Sequence, residues 1–405
     1  MRTSHGVAFA LSAGFQLATA APVCGGNNGT ADVLYVTTYP VGDGAGKLLT
    51  LQLAGSKLQV VGESDTCGPY PSWLTQDGDV LYCVNEAWGG DKGNLYSLKI
   101  NSNYTFTKLS EQETIVGPVS TTIYGNDGRG LAVADYAGGG IDTFNIEDPA
   151  AVELIKSVVY PAPEDGLPDP QNSARPHEAI LDPTGDFLVF PDLGADQIRV
   201  LKVNKETLEY EEKPSYTDFE RGTGPRHGAF FTSGDKTFFY LVGELANVLQ
   251  GFTVTYNDDD SLTFERFHDS NTHGGDEPLP EGTAAAELWI AVQFQPQGNF
   301  LTLSSRFESS LEYTVANGTT VPSDPLVTFS IDPETGALTH VQSAPAGGIN
   351  PRHFSFNSDG TRVASALQSD GRVIVFERDP ATGKIGKAIA EGDVEGSPNF
   401  AAFKQ

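Results

Sequence analysis

An all-β chain closed into a seven-bladed β-propeller is the fold this sequence predicts, on three observations. A strand–turn–strand pattern recurs six times, the two chain ends supply complementary parts of a seventh copy, and no long segment has helical periodicity. The pattern is Gly-Pro or its like, a short strand, a glycine-containing turn and a second, more apolar strand. It runs from Gly68-Pro69-Tyr70 through Asp77-Gly78 to LYCVNE, then from Gly117-Pro118-Val119 through Asp127-Gly128 to LAVAD. Arg175-Pro176-His177 leads through Thr184-Gly185 to FLVFPD, and Gly224-Pro225-Arg226 through Ser233-Gly234 to FFYLVGE. A looser fifth copy joins Leu288-Trp289-Ile290 through Gln297-Gly298 to FLTLSSR; the sixth joins Asn350-Pro351-Arg352 through Asp359-Gly360 to RVASAL. The turn glycines are 50, 57, 49, 64 and 62 residues apart, room for several short antiparallel strands per unit. Third strands follow, as in Gly140-Ile141-Asp142-Thr143-Phe144 and Arg372-Val373-Ile374-Val375-Phe376.

The ends complete the count. Gly396-Ser397-Pro398-Asn399-Phe400 repeats the first strand, but the chain stops at Gln405 before a second. The missing strands stand at the other end, VLYVTT from Val33 and KLLTL from Lys47. Pairing a C-terminal inner strand with N-terminal strands closes the ring and removes open edges.

With 53 acidic against 25 basic residues the net charge is −28, which excludes a phosphate-binding footprint for nucleic acid and attraction to an anionic membrane. Forty-five Gly, 25 Pro and 23 Phe suit a turn-rich β protein rather than a disordered one. Residues 1–20 have the layout of a secretory signal peptide: Arg2 and His5, an apolar stretch from Val7 to Leu17, then Ala18-Thr19-Ala20. The expectation is a secreted protein, extracellular or wall-associated, whose residues 21–405 form the propeller. The sequons at Asn28, Asn103 and Asn317 fit that compartment as glycosylation sites. Of the three mature cysteines, Cys67 and Cys83 flank the Asp77-Gly78 turn in a register that sets Cys83 opposite about residue 73, so Cys24–Cys67 is the expected bridge and Cys83 a buried thiol.

In a propeller the start of each inner strand and the end of the next strand meet at one channel mouth. Alignment on the turn glycines sets Tyr70, His177, Arg226, Arg352 and Asn399 after the proline, and Glu86, Asp135, Asp192, Glu244 and Arg306 at the ends of second strands. His177, Arg226, Arg306, Arg352 and Glu244 therefore point to one pocket. Arginines there either pair with neighbouring acids and brace the blades, or form an anion site, since guanidinium forks fit carboxylate and phosphate. His227 and His353, one residue after their arginines, are expected on the opposite face by strand alternation and are read as structural. Other motifs fail: the 42–47 stretch (GDGAGK) is a hairpin loop, the 257–261 stretch (NDDDS) a solvated turn, and neither zinc spacing nor a Gly-x-Ser-x-Gly elbow occurs. No cofactor and no metal are expected.

The segments RPHEAILDPTGDFLVFPDLGADQIRVLKV, GPRHGAFFTSGD and NPRHFSFNSDG resemble the seven-bladed lactonase family, which includes bacterial 6-phosphogluconolactonases and the fungal 3-carboxy-cis,cis-muconate cyclase. The resemblance implies a pocket of one His, two Arg and one Glu, matched here by His177, Arg226, Arg306 and Glu244. It implies a cycloisomerase acting on a small carboxylated substrate. Arg226 and Arg306 would stabilise enolate-like charge, Arg352 would assist binding, and His177 would be the acid/base with Glu244 as partner or alternative donor. A lactone hydrolase of the 6-phosphogluconolactonase type and a non-catalytic secreted glycoprotein are the alternative expectations.

Overall fold

The inner strands begin at or beside a proline, except at Ala284 in blade five and at Ile180 in blade three, where an isolated bridge at Pro176 precedes the strand, and each inner segment carries one residue too many for its partner. That irregularity shapes the whole channel. In the computed structural model residues 32–42, 44–164, 167–291 and 299–405 are described. The expected signal peptide, Cys24, Asn28 and the fifth turn at Gln297-Gly298 lie outside them.

The described residues form seven four-stranded antiparallel units, over residues 71–114, 118–159, 180–216, 225–271, 284–345, 351–393, and 397–403 with 33–64; these are blades one to seven, and one parallel pair, Glu391 with Lys57, joins blades six and seven into an eight-stranded sheet. Blade five carries an extra hairpin, Leu311–Thr314 with Thr320–Ser323. Blade seven is built from both chain ends, Ser397–Phe403 pairing with Val33–Tyr39 in the register Leu34↔Phe403 and Val36↔Ala401. Seven apolar clusters lie in the seams, one between each neighbouring pair of blades, including blade seven with blade one. Middle strands are therefore covered on both faces: Gly130–Asp135 is buried at every position, while the outer strand Glu153–Val159 stays largely exposed.

The extra residue is a β-bulge. Pairing shifts between Pro71 and Trp73, Pro118 and Ser120, Pro225 and His227, Ala285 and Leu288, and Pro351 and His353. In blade seven Pro398 and Phe400 face adjacent residues Thr38 and Thr37, and in blade three the pairs Pro176↔Asp192 and Ile180↔Val189 leave the same surplus. A bulge interrupts the period-two alternation and re-aims side chains. Hence both residues after the proline reach the channel, and the expectation that His227 and His353 turn away is wrong.

The alignment needs three further corrections. Pro71 rather than Pro69 is the bulge proline of blade one, so Ser72 and not the half-buried Tyr70 holds the inner position. In blade five Ala285 takes the proline's place, which puts Ala286 and Glu287 at the bulge. Asp135 and Asp192 pair directly with Pro118 and Pro176, one residue short of the mouth; Tyr136 and Leu193 are the true counterparts of Glu244.

Cys67 and Cys83 are bridged, with Cα atoms 5.9 Å apart, in place of the expected Cys24–Cys67. The strand register is close to expectation, Cys83 facing Leu74. Cys67, however, precedes the strand in a connector turned at Gly68 (φ 75°) and lies in the seam between blades seven and one, beside Cys83. Asn103 and Asn317 stand in exposed turns, their Oδ1 atoms accepting hydrogen bonds from Thr105 and Thr319. No helix among the described residues is long and apolar enough to cross a membrane.

Candidate functional site

The first bulge residues and the residues ending the second strands form one layer at the channel mouth. Arg226 follows Pro225 in blade four, Glu244 comes directly after that blade's second strand, Lys236–Gly243, and Arg306 ends the second strand of blade five. Glu244 bridges the two arginines, 2.7 Å from Arg226 Nε and 2.7 Å from Arg306 Nη2. The Arg226 contact is ionic rather than a well-aligned hydrogen bond. Backbone carbonyls of blade five hold the guanidinium planes: Arg226 Nη1 donates to Ala286 at 2.7 Å, Arg306 Nε to Ala284 at 3.2 Å and Nη2 to Ala285 at 3.0 Å. These hydrogen bonds leave N–H groups on both arginines for a further acceptor.

Burial pushes the Glu244 carboxyl up, but Arg306 and Arg226 outweigh it and hold it at about 2. Glu244 is thus held as a carboxylate by its two guanidinium partners. Burial, reinforced by Arg226 and His227, drives His177 well below its ordinary value, so the ring is neutral. Its Nδ1 is buried without a hydrogen-bond partner, and its ring packs edge-on against Tyr136 and His227, centroids 5.3 and 5.2 Å away.

Arg352 completes the layer from blade six. It is half-buried, lies over the Tyr39 ring at 5.5 Å and makes no ion pair among the described residues. Glu86 accepts hydrogen bonds from the Tyr39 hydroxyl and the Trp88 indole, and burial raises its carboxyl despite Arg352. Beside this layer opens a cavity of about 340 Å³ lined by Glu86, Trp88, Tyr136, Ala137, Asp169 and Arg175. A larger one, about 500 Å³, lies at the other end of the channel, around Gln76, Trp289 and Phe403, away from the arginines.

The structure therefore brings together His177, Arg226, Glu244, Arg306 and Arg352, with Glu86, which the same alignment sets at the end of a second strand, and adds Tyr39, Trp88 and Tyr136. Shifting the second-strand alignment one residue past Asp135 is the sequence signal that finds Tyr136. Asp192 is elsewhere, accepting from the Arg175 backbone at 2.7 Å and pairing with Arg199 at 2.7 Å.

Below the mouth a second layer holds Glu178, His227, Glu287 and His353. His227 Nδ1 is 2.9 Å from Glu287 Oε1 and 3.7 Å from Glu178 Oε1, and His353 Nε2 is 3.6 Å from Glu287 Oε2. Trp73 of blade one touches the rings of both histidines, centroids 5.7 and 5.4 Å away, so the layer spans the channel. Burial first, then repulsion from Glu287, raises Glu178 well above its usual range.

The family described as Lactonase, 7-bladed beta-propeller matches residues 33–402. A protein of Arthroderma benhamiae named probable 6-phosphogluconolactonase is 30% identical over 328 residues, 80% of this chain and 77% of its own. A 6-phosphogluconolactonase of Formosa agariphila is 26% identical over 334 residues, 82% of this chain and 87% of its own. Among solved structures, a periplasmic gluconolactonase of Pseudomonas aeruginosa matches with a TM-score of 0.73 at 24% identity, covering 93% of this chain and 99% of its own, a likeness of fold.

Proposed function

This chain belongs to the seven-bladed β-propeller lactonase family, and from that footing we propose that it is an exported lactone hydrolase acting on a small anionic sugar lactone of the 6-phosphogluconolactone kind. The relatives' names support hydrolysis and give no support to the cyclase reading, which the resemblance alone puts first. One observation in the structure carries the proposal. In a chain of net charge −28, the mouth layer sets three arginines, one of them in no ion pair among the described residues, beside two carboxylates and a neutral imidazole.

The chemistry follows from those groups. Neutral His177 takes a proton from water as the oxygen adds to the lactone carbonyl carbon. Arg226 and Arg306, locked by Glu244 and three carbonyls, face the oxyanion that forms, where preorganised donors lower the barrier most. The ring C–O bond then breaks and the leaving alkoxide takes the proton back from His177, leaving acid and alcohol on one product. Arg352 holds the remote anionic group.

Purified protein should accelerate hydrolysis of 6-phosphogluconolactone, and Arg226→Ala or Arg306→Ala should cost on the order of 10²–10³ in kcat. Because the His177 base is depressed below its ordinary 6.5, the rate should hold level across neutrality and fall only at acidic pH well below that value. Turnover of 3-carboxymuconate without turnover of either gluconolactone would reverse the choice in favour of the cyclase. Inactivity towards all three, with small acids still protecting against heat, would favour a binding protein. Export, and glycans at Asn103 and Asn317, are part of the proposal; mass mapping of protein secreted by the native host tests them.

A further inference from the structure

The second bulge residue of each blade forms a ring across the channel. In blades three to six it reads Glu178, His227, Glu287, His353, carboxylate and imidazole in alternation, and Phe400, Trp73 and Ser120 complete the circle. We propose that Glu178, His227 and Glu287 bind one divalent transition-metal cation inside the channel.

Geometry is the first support. One ligand atom from each of the three residues lies within 4.8 Å of the others, with His227 Nδ1 at 2.9 Å from Glu287 Oε1 and 3.7 Å from Glu178 Oε1. Oxygen and nitrogen atoms bound at about 2.1 Å to one ion stand roughly 3–4 Å apart. The second is an orphan: Glu287 Oε2 is buried in the cluster, on a side chain 1% exposed, and accepts no hydrogen bond. Two carboxylates side by side out of water are costly unless a cation joins them, and among the described residues neither Glu178 nor Glu287 forms an ion pair with an arginine or lysine.

The surroundings are also those of a held site. Gly228 N–H donates to Glu178 Oε2 at 2.7 Å and Leu288 N–H to Glu287 Oε1 at 3.1 Å, fixing both carboxylates. Ala401 N–H donates to His353 Nδ1 at 3.3 Å, which leaves the ring proton on Nε2, facing Glu287 Oε2 at 3.6 Å. At that distance the two groups form no hydrogen bond, so His353 stands behind the cluster as a positioning neighbour of Glu287 rather than as a ligand. Two carboxylate oxygens and one imidazole nitrogen suit Mn²⁺ or Zn²⁺ better than an all-oxygen cation such as Ca²⁺. The site does not depend on the lactone reading, since none of its ligands enters that chemistry.

The test is binding by the whole chain after removal of metal with EDTA. Titration with Mn²⁺, followed by electron paramagnetic resonance, and with Zn²⁺, followed by calorimetry, should each show one saturable equivalent. Saturating metal should also raise the melting temperature. Glu178→Gln and Glu287→Gln should abolish the equivalent, and His353→Gln should weaken it by about 10–100-fold. Should the ligand variants fail to fold, the wild type decides alone through the stoichiometry and the melting shift. Folded wild type that takes up neither ion at millimolar concentration, or binding and melting shifts unchanged in a folded Glu287→Gln, overturns the site and leaves a carboxylate pair sharing a proton.

Discussion

Glu244 has two buried guanidiniums depending on it. Replacing it by Ala strips the counter-charge from side chains only 2% and 6% exposed, and breaking such a pair from one side costs about 3–5 kcal/mol. Urea unfolding should show that loss at pH 7. The sign of the pH dependence follows from the depressed carboxyl. Its stabilisation is complete above its ordinary 4.5 and is lost as pH falls from there towards about 2, so wild type and Glu244→Ala should converge in stability across that interval. Arg352 answers to a different measurement. It makes no ion pair among the described residues, and under the proposed function it is the group for the remote anion rather than for the reacting carbonyl. Arg352→Ala should raise KM for the phosphorylated lactone by about tenfold or more, while KM for gluconolactone and kcat for both change little. An equal loss of kcat on both lactones would move Arg352 into the oxyanion site.

The inner strand is the element on which sequence and structure part company. Its proline, its turn glycine and its apolar partner are readable in sequence, which is why three separate repeats place Arg226, His177 and Arg352 correctly. The bulge is not readable, because an extra residue leaves composition and periodicity almost unchanged over so short a strand while switching which side chains share a face. Strict alternation therefore puts His227 and His353 on the wrong side, and it passes over Glu287 because the strand 284–290 (AAAELWI) has no proline to anchor its alignment. The same limit explains the disulfide: pairing rules apply within strands, and Cys67 lies in a connector that folds into the seam. That bridge closes a 16-residue separation, for which loss of chain entropy in the unfolded state predicts about 3 kcal/mol. Since Cys67 and Cys83 belong to the seam between blades seven and one, Cys67→Ala/Cys83→Ala should lower stability by that order and leave KM unaltered. Unchanged melting under reducing and oxidising conditions would show that packing alone holds the connector.

At the scale of the molecule, the ring makes every blade depend on two neighbours, so its closure carries more than the hydrogen bonds of one strand pair. Complementary chain ends make this closure legible in the sequence itself, since a strand missing from one terminus stands at the other. Ser397–Phe403 supplies the inner strand of blade seven, with Phe400 in the seam towards blade one and Ala401 and Phe403 in the seam towards blade six. It also ties the circle by polar contacts, Thr37 to Asn399 at 2.6 Å and Asn399 to the Pro71 carbonyl at 2.9 Å. Truncation after Gly396 would strip the edge of Val33–Tyr39, opening two seams at once and leaving an apolar strand edge free to aggregate. That variant should be insoluble or melt without cooperativity, whereas removing only Gln405, whose hydrogen bonds to Gln76 are exposed, should cost no more than about 1 kcal/mol. A circular permutant separates closure from chain order. Lys404 N–H donates to the Val33 carbonyl at 2.8 Å, so a short linker from Gln405 to Asp32 spans the gap, and new ends can be opened in the exposed 257–260 turn. If the circle is what specifies the fold, this permutant should melt cooperatively near the wild type and keep its lactone turnover, because His177, Arg226, Glu244, Arg306 and Arg352 keep their places in the ring. A permutant that folds while the Gly396 truncation folds equally well would show instead that six blades suffice.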